Sequence, residues 1–174
     1  MLKNILVATD GSPMGRRAAE TAAALASKFD SAVVLVTIVG QGDVPENMVR
    51  MLKAEHLVEE HKADQVSLEV LSRAPGPSVR VDSRAAEAAE VHQKMAELVL
   101  GEATRQLKDS GLKNFDTKLE RGKPADVILE LAKQIDSDLI VVGSRGFGDL
   151  KSLILGSVSH KVLQMAECPC LIIK

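Results

Sequence analysis

Short aliphatic runs alternate along the chain with segments of helical period, and few folds accommodate that alternation. Ile5–Ala8 reads as a strand halted by Thr9-Asp10-Gly11-Ser12, where Ser12 is placed to cap a helix and Pro13 to open it. That helix sets Ala18, Ala22, Leu25, Ala26 and Phe29 on one face until Asp30-Ser31 ends it. Ala32–Val39 is almost wholly aliphatic, the pattern of a strand covered on both faces. Further on, Asp116–Glu120 alternates in polarity like a strand near a sheet edge. Gly122-Lys123-Pro124 opens a helix with Val127, Ile128, Leu131, Ala132 and Ile135 inward, and Leu139–Val142 is a second buried strand. A last helix is expected from about Val158 to Ala166, followed by a terminal strand over Cys170–Ile173. Strand, helix, strand, repeated, predicts an α/β fold: an open five-stranded parallel sheet with helices on both faces. Ligands in such sheets bind outside the carboxyl ends of the strands, which directs attention to the loops after Ala8, Val39 and Val142.

Between Gly40 and Ser110 the pattern is less regular. Met48 to about Gln65 is helical in pattern, Ala74-Pro75-Gly76-Pro77 breaks it, and Arg84–Leu107 reads as a long helix carrying Ala88, Val91, Met95, Leu98 and Leu107. The length of 174 residues predicts one domain, 1–174, with an excursion at about 41–83 that is either a helical lid or a partly mobile loop. A chain of this size buries about 70% of its unfolded surface and requires no disulfide or metal staple. The net charge of −2 argues against a dedicated duplex-binding protein, and three Phe with no Trp or Tyr provide no stacking platform for single strands. No nucleic-acid partner is expected. No run approaches about 18 uninterrupted apolar residues, so no membrane span is expected. The opening residues show neither a cationic leader nor a cleavage site, and the two cysteines fit a reducing compartment, which together predict a cytoplasmic protein.

The segment richest in chemistry is Gly143-Ser144-Arg145-Gly146-Phe147-Gly148, followed by Asp149–Leu155 and then Gly156-Ser157-Val158-Ser159. Glycines at the end of a buried strand let the backbone turn sharply and approach a ligand with no Cβ in the way. Gly156-Ser157 then opens a helix, whose free N–H groups and dipole favour an anion by ~0.3–1 kcal/mol, up to ~2 if partly buried. The Ser157 and Ser159 hydroxyls and the Arg145 guanidinium are available to add hydrogen bonds. The competing reading is an ordinary glycine loop with an N-capping serine; the combination at one strand end favours the phosphate site. Other nucleotide signatures fail. Gly11-Ser12-Pro13-Met14-Gly15-Arg16-Arg17 misses the P-loop by one residue and by its lysine. The late loop has the dinucleotide glycines in the wrong order and place, and the nucleophile elbow is absent.

These residues resemble the nucleotide-binding branch of the universal stress protein family, which carries Gly, two residues, Gly, nine residues, Gly-Ser/Thr. Gly143, Gly146 and Gly156-Ser157 match that spacing in full. The opening Ile5-Leu6-Val7-Ala8-Thr9-Asp10-Gly11-Ser12 looks like the family's first strand with its Asp. Val141-Val142-Gly143-Ser144 and Cys168-Pro169-Cys170-Leu171-Ile172 look like its fourth and terminal strands. The likeness covers about Leu2–Gly40 and Leu98–Lys174 and leaves out Gln41–Asp82. It implies a Rossmann-like sheet of order 3-2-1-4-5 and bound ATP, with Mg²⁺ accompanying the nucleotide. Gly143, Ser144, Arg145 and Gly146, with Gly156, Ser157, Val158 and Ser159, are implied to hold the phosphates. Thr9, Asp10, Ile38 and Val142, beside Ala8, are implied to line the adenosine pocket. Arg145 stands where His is commoner. The residues agree with that picture: without aromatic side chains, adenine must lie between aliphatic ones. Asp10 can accept from ribose hydroxyls or bind Mg²⁺ through water, or it serves only as an Asx turn.

Other candidates carry less. His56 and His61 lie about 140° apart around a helix and miss zinc-helix spacing by one residue. His92 and His160 read as solvent-facing, and Cys168-Pro169-Cys170 as small apolar thiols on a buried strand. The resemblance implies a homodimer through the strand 170–173, which would cover an aliphatic edge. The expected function is that of a nucleotide-dependent regulatory, stress-response protein. The alternatives are a slow Mg-dependent ATPase, with Asp10, Ser144, Arg145 and Asp149 as its polar groups, or an interaction module that binds no nucleotide. The sequence leaves open whether ATP, AMP or a cyclic nucleotide is the ligand.

Overall fold

Five parallel strands form one sheet in the order β3-β2-β1-β4-β5, as expected. The computed structural model describes residues 2–41, 83–147 and 155–174. The strands are β1 (Asn4–Ala8), β2 (Ala32–Val39), β3 (Phe115–Arg121), β4 (Leu139–Gly143) and β5 (Cys170–Ile173). The helices are α1 (Pro13–Phe29), α2 (Ser83–Asp109), α3 (Pro124–Gln134) and α4 (Ser157–Met165). The helix expected over Met48–Gln65, its breaker Ala74–Pro77, the pair His56 and His61, and Gly148 and Asp149 lie outside the described residues. The chain divides into two compact units, one of residues 1–40 with 96–174 and the other of residues 41–95, which takes in the excursion. The first unit holds the whole sheet.

Each strand sends alternate side chains to opposite faces, so the sheet separates two cores. Ile5, Val7, Val33, Leu35 and Val141 pack under α1 and the end of α2, through Ala18, Ala22, Ala26, Ala103 and Leu107. Leu6, Val36, Ile140 and Val142 pack under α3 and α4, through Ile128, Leu131, Ala132 and Val162. Truncating a fully buried Leu6 or Ile140 to alanine falls in the class that costs about 2–5 kcal/mol. The buried positions of α1 are Gly15, Ala18, Ala19, Ala22, Ala23 and Ala26, a face of small side chains that lets the helix lie close on the strands.

Two expected core residues are not in it. Phe29 is 52% exposed, because it ends α1 and Asp30, at φ 56°, turns the chain away there. Leu98 is 47% exposed, whereas Ala96, Ala103 and Leu107 of the same helix are buried.

At the amino ends of the strands, Asp138 holds β1 in place. Its Oδ2 accepts from the backbone N–H groups of Lys3 at 2.7 Å and Asn4 at 2.9 Å. Those two hydrogen bonds hold the carboxyl below its ordinary value near 3.8. A carboxylate lowered on folding stabilises the native state above its unfolded pKa, and that contribution disappears as pH falls through the lowered native one. Urea midpoints measured from pH 6 down to pH 2 are expected to decline less steeply below about pH 4 in Asp138→Asn than in the parent. Parallel profiles would show that the contact carries no linkage.

β1 is central, with β2 and β3 on one side and β4 and β5 on the other. The chain leaves β1 toward β2 and leaves β4 toward β5, so the loops after these neighbouring strands diverge. That divergence opens a crevice at their carboxyl ends, where Ala8 is in register with Val142.

Candidate functional site

The loop after β1 is folded by its own short side chains. The N–H of Thr9 still donates to Val36 at 3.1 Å, extending the ladder one residue. Asp10 Oδ1 accepts from the N–H of Ser12 at 3.0 Å, an Asx turn, and Ser12 Oγ accepts from Gly15 at 3.1 Å as the N-cap of α1. Ser12 Oγ also reaches the Arg145 carbonyl at 3.4 Å, joining this loop to the one after β4. Asp10 thus fills the turn role, while its second oxygen faces Gly146. A Cβ on Gly146 would come within 2.2 Å of Asp10 Oδ2, so glycine there makes room for the carboxylate.

The loop after β4 is tied on both sides. The N–H of Ser144 donates to Ile173 of β5 at 2.6 Å. Its carbonyl accepts from the N–H of Gly156 at 2.7 Å and from Ser159 Oγ at 2.8 Å. Gly156 is the N-cap of α4, extended at φ −74° and ψ 164°, and no side chain caps that helix. The first bond of its ladder is His160 N–H to Gly156 O at 2.9 Å. The amides of Ser157, Val158 and Ser159 therefore precede the ladder and have no partner among the described residues.

Beside this helix start lies a cavity of about 170 Å³ at the crevice between β1 and β4. Its walls are aliphatic, from Ala8, Ile38, Ile128, Val142 and Val158, and its polar groups are Thr9, Asp10 and Arg145. Of the residues expected at the site, these line it together with Gly143 and Gly146. Ser144 and Ser159 lie behind the wall, each 2% exposed, with the Ser159 hydroxyl turned into the loop rather than toward the cavity. Ser157 is exposed on the first turn of α4, and Gly156 precedes it. Gly15, Pro124 and Ile128 also line the cavity and were not expected to. The inward spacing of Ile128 was visible as a core signal. That the first turn of α3 reaches this crevice depends on packing that no local pattern encodes.

His160 is exposed. Cys168 and Cys170 are free and half-buried, and burial pushes both thiols up from their ordinary values, so they sit neutral as small apolar residues. Among the described residues, no three His, Cys, Asp or Glu side chains gather into a metal site, and no helix is long and apolar enough to cross a membrane.

A doubly wound parallel sheet with a cavity at the divergence of its central strands, and a bare helix start beside it, defines the Rossmann-like α/β class. Within that class the chain belongs to the universal stress protein family, whose model matches residues 1–99 and 49–174. Those ranges run through Gln41–Asp82, which the motif resemblance left out. The chain is 31% identical over 174 residues to the universal stress protein YxiE of Bacillus subtilis, covering all of both chains. Its fold is similar to that of a universal stress protein solved in complex with cAMP (TM-score 0.61, 20% identity, 99% of this chain and 97% of that one). It is similar also to a universal stress protein of Archaeoglobus fulgidus in complex with dAMP (TM-score 0.58, 21% identity, all of both chains).

Proposed function

We propose that this universal stress protein binds an adenine nucleotide, ATP with Mg²⁺, in the β1–β4 crevice and acts in the cytoplasm as a nucleotide-dependent regulator. The observation that carries the reading is the set of amides of Ser157, Val158 and Ser159, without partners among the described residues at a helix start beside an aliphatic cavity. Such a start favours an anion through its N–H groups and its dipole. The cavity, at about 170 Å³, is smaller than the roughly 300–1,000 Å³ of sites that enclose a whole ligand. It suits the base, held between Ala8, Ile38, Ile128 and Val142. The ribose then meets Thr9 and Asp10, and the phosphates run along Gly143–Gly146 toward Gly156 and α4, with Arg145 at the mouth. Asp10 supplies one carboxylate, so a Mg²⁺ ion there takes its remaining ligands from phosphate and water. Structural neighbours carrying cAMP and dAMP support the adenine class without selecting ATP.

Binding is favoured over turnover. Phosphoryl transfer requires a positioned base and metal ligands, and Asp10 is the one carboxylate among the described residues that line the cavity. We propose in addition a homodimer through β5, whose four residues are all half-buried and which pairs on one side with β4.

Nucleotide released by denaturing the purified protein is expected to chromatograph as an adenine nucleotide, and titration calorimetry is expected to show ATP binding. Protein that emerges empty and ignores millimolar ATP would contradict the reading. ADP release that needs Mg²⁺ and is lost in Asp10→Ala, with ATP affinity unchanged, would favour an ATPase instead.

A further inference from the structure

We infer that the Ser159 side chain has a positioning role: its hydroxyl holds the phosphate-facing amides in place from behind the wall and touches no ligand. The inference rests on the nucleotide-binding reading. A serine hydroxyl has one proton, and the Ser159 oxygen lies 2.8 Å from the Ser144 carbonyl and 3.0 Å from that of Gly156, with the residue 2% exposed. Its proton is thus committed to main-chain oxygens on the inner side of the loop, out of reach of a phosphate in the crevice. The carbonyl of Ser144 collects that hydroxyl and the Gly156 N–H at 2.7 Å, while the N–H of the same residue bonds Ile173 at 2.6 Å. Both main-chain polar groups of Ser144 are therefore satisfied within the fold. The carbonyl oxygen is kept off the face where an anion would lie, and the start of α4 is bound to the end of β4.

Removing the Ser159 oxygen leaves Ser144 O its bond from Gly156, so the loop keeps one tie and the sheet is untouched. What is lost is the second tie, the one from inside α4, which fixes the angle at which the bare amides of Ser157 and Val158 meet the anion. The base cavity is built from Ala8, Ile38, Ile128 and Val142, none of which is a partner in these hydrogen bonds. The consequence is selective: phosphate recognition weakens and base recognition does not.

Calorimetric titration of the full chain with ATP and, separately, with adenosine tests this. Ser159→Ala is expected to weaken ATP about tenfold, the order of one lost hydrogen bond, and to change adenosine affinity less than twofold. Ser159→Thr, which retains the oxygen, is expected to bind ATP within threefold of the parent. Equal ATP affinity in parent and Ser159→Ala would overturn the inference while leaving the nucleotide site standing. ATP and adenosine weakened in parallel would overturn it too, since a general loss of structure would then explain the effect. A parent protein that binds neither ligand would bring down the site assignment itself, and this inference with it.

Discussion

A Ser157→Glu variant is expected to keep its thermal stability and lose its nucleotide. Ser157 is exposed at the first position of α4, and the first turn of that helix holds no acidic residue. A carboxylate there interacts favourably with the helix dipole by ~0.3–1 kcal/mol, which for a chain of this size raises Tm by up to about 4 °C. The same carboxylate stands where the phosphates are proposed to lie. At about 4 Å and an effective dielectric near 20, like charges repel by roughly 4 kcal/mol, so ATP affinity is expected to fall at least 100-fold. Thermal unfolding and calorimetry on one preparation check both signs. A stable variant that still binds ATP would place the phosphates elsewhere.

The second large effect separates two glycines that the motif treats alike. A Cβ on Gly143 would stand 2.9 Å from the carbonyl carbon and Cβ of Met14 and 3.0 Å from the N of Gly15, both on α1. Main chain cannot swing aside, so Gly143→Ala forces α1 off the end of β4 and is expected to cost about 2–3 kcal/mol, or roughly 4–12 °C in Tm. A Cβ on Gly156 meets Arg145 Cα and Ser144 O at 3.5 Å, ordinary contact, and its backbone is one any residue adopts. Gly156→Ala is expected to stay within about 0.5 kcal/mol of the parent. Matched denaturant curves decide it. Equal losses at the two positions would refute the steric assignment.

That contrast marks how far the sequence could be read. The strands were legible as short, almost wholly aliphatic runs between helical segments; Ala32–Val39 and Cys170–Ile173 match β2 and β5 end for end. Weak alternation at Asp116–Glu120 located β3, which does lie at a sheet edge. At the site, the spacing of Gly143, Gly146 and Gly156 pointed to the loop that borders the cavity, but not to what each glycine accommodates. Gly143 clears the backbone of α1 and Gly146 clears the Asp10 carboxylate, and both neighbours come from the far end of the chain. Ser159 looked like a ligand because serines at a helix start often are; its direction is set by the Ser144 carbonyl, 15 residues earlier. Phe29 and Leu98 followed helical periodicity faithfully and still emerged at the surface. Periodicity gives a face, whereas burial depends on what stands opposite it.

The expectations for nucleotide binding converge on the start of α4. Adding ATP and Mg²⁺ to ¹⁵N-labelled protein and following the backbone amide resonances observes that contact atom by atom. The amides of Ser157, Val158 and Ser159 are expected to show the largest shifts, moving downfield as they donate to phosphate, with smaller changes at Ile38 and Val142. Resonances of the three that stay fixed while ATP saturates the protein would contradict the account.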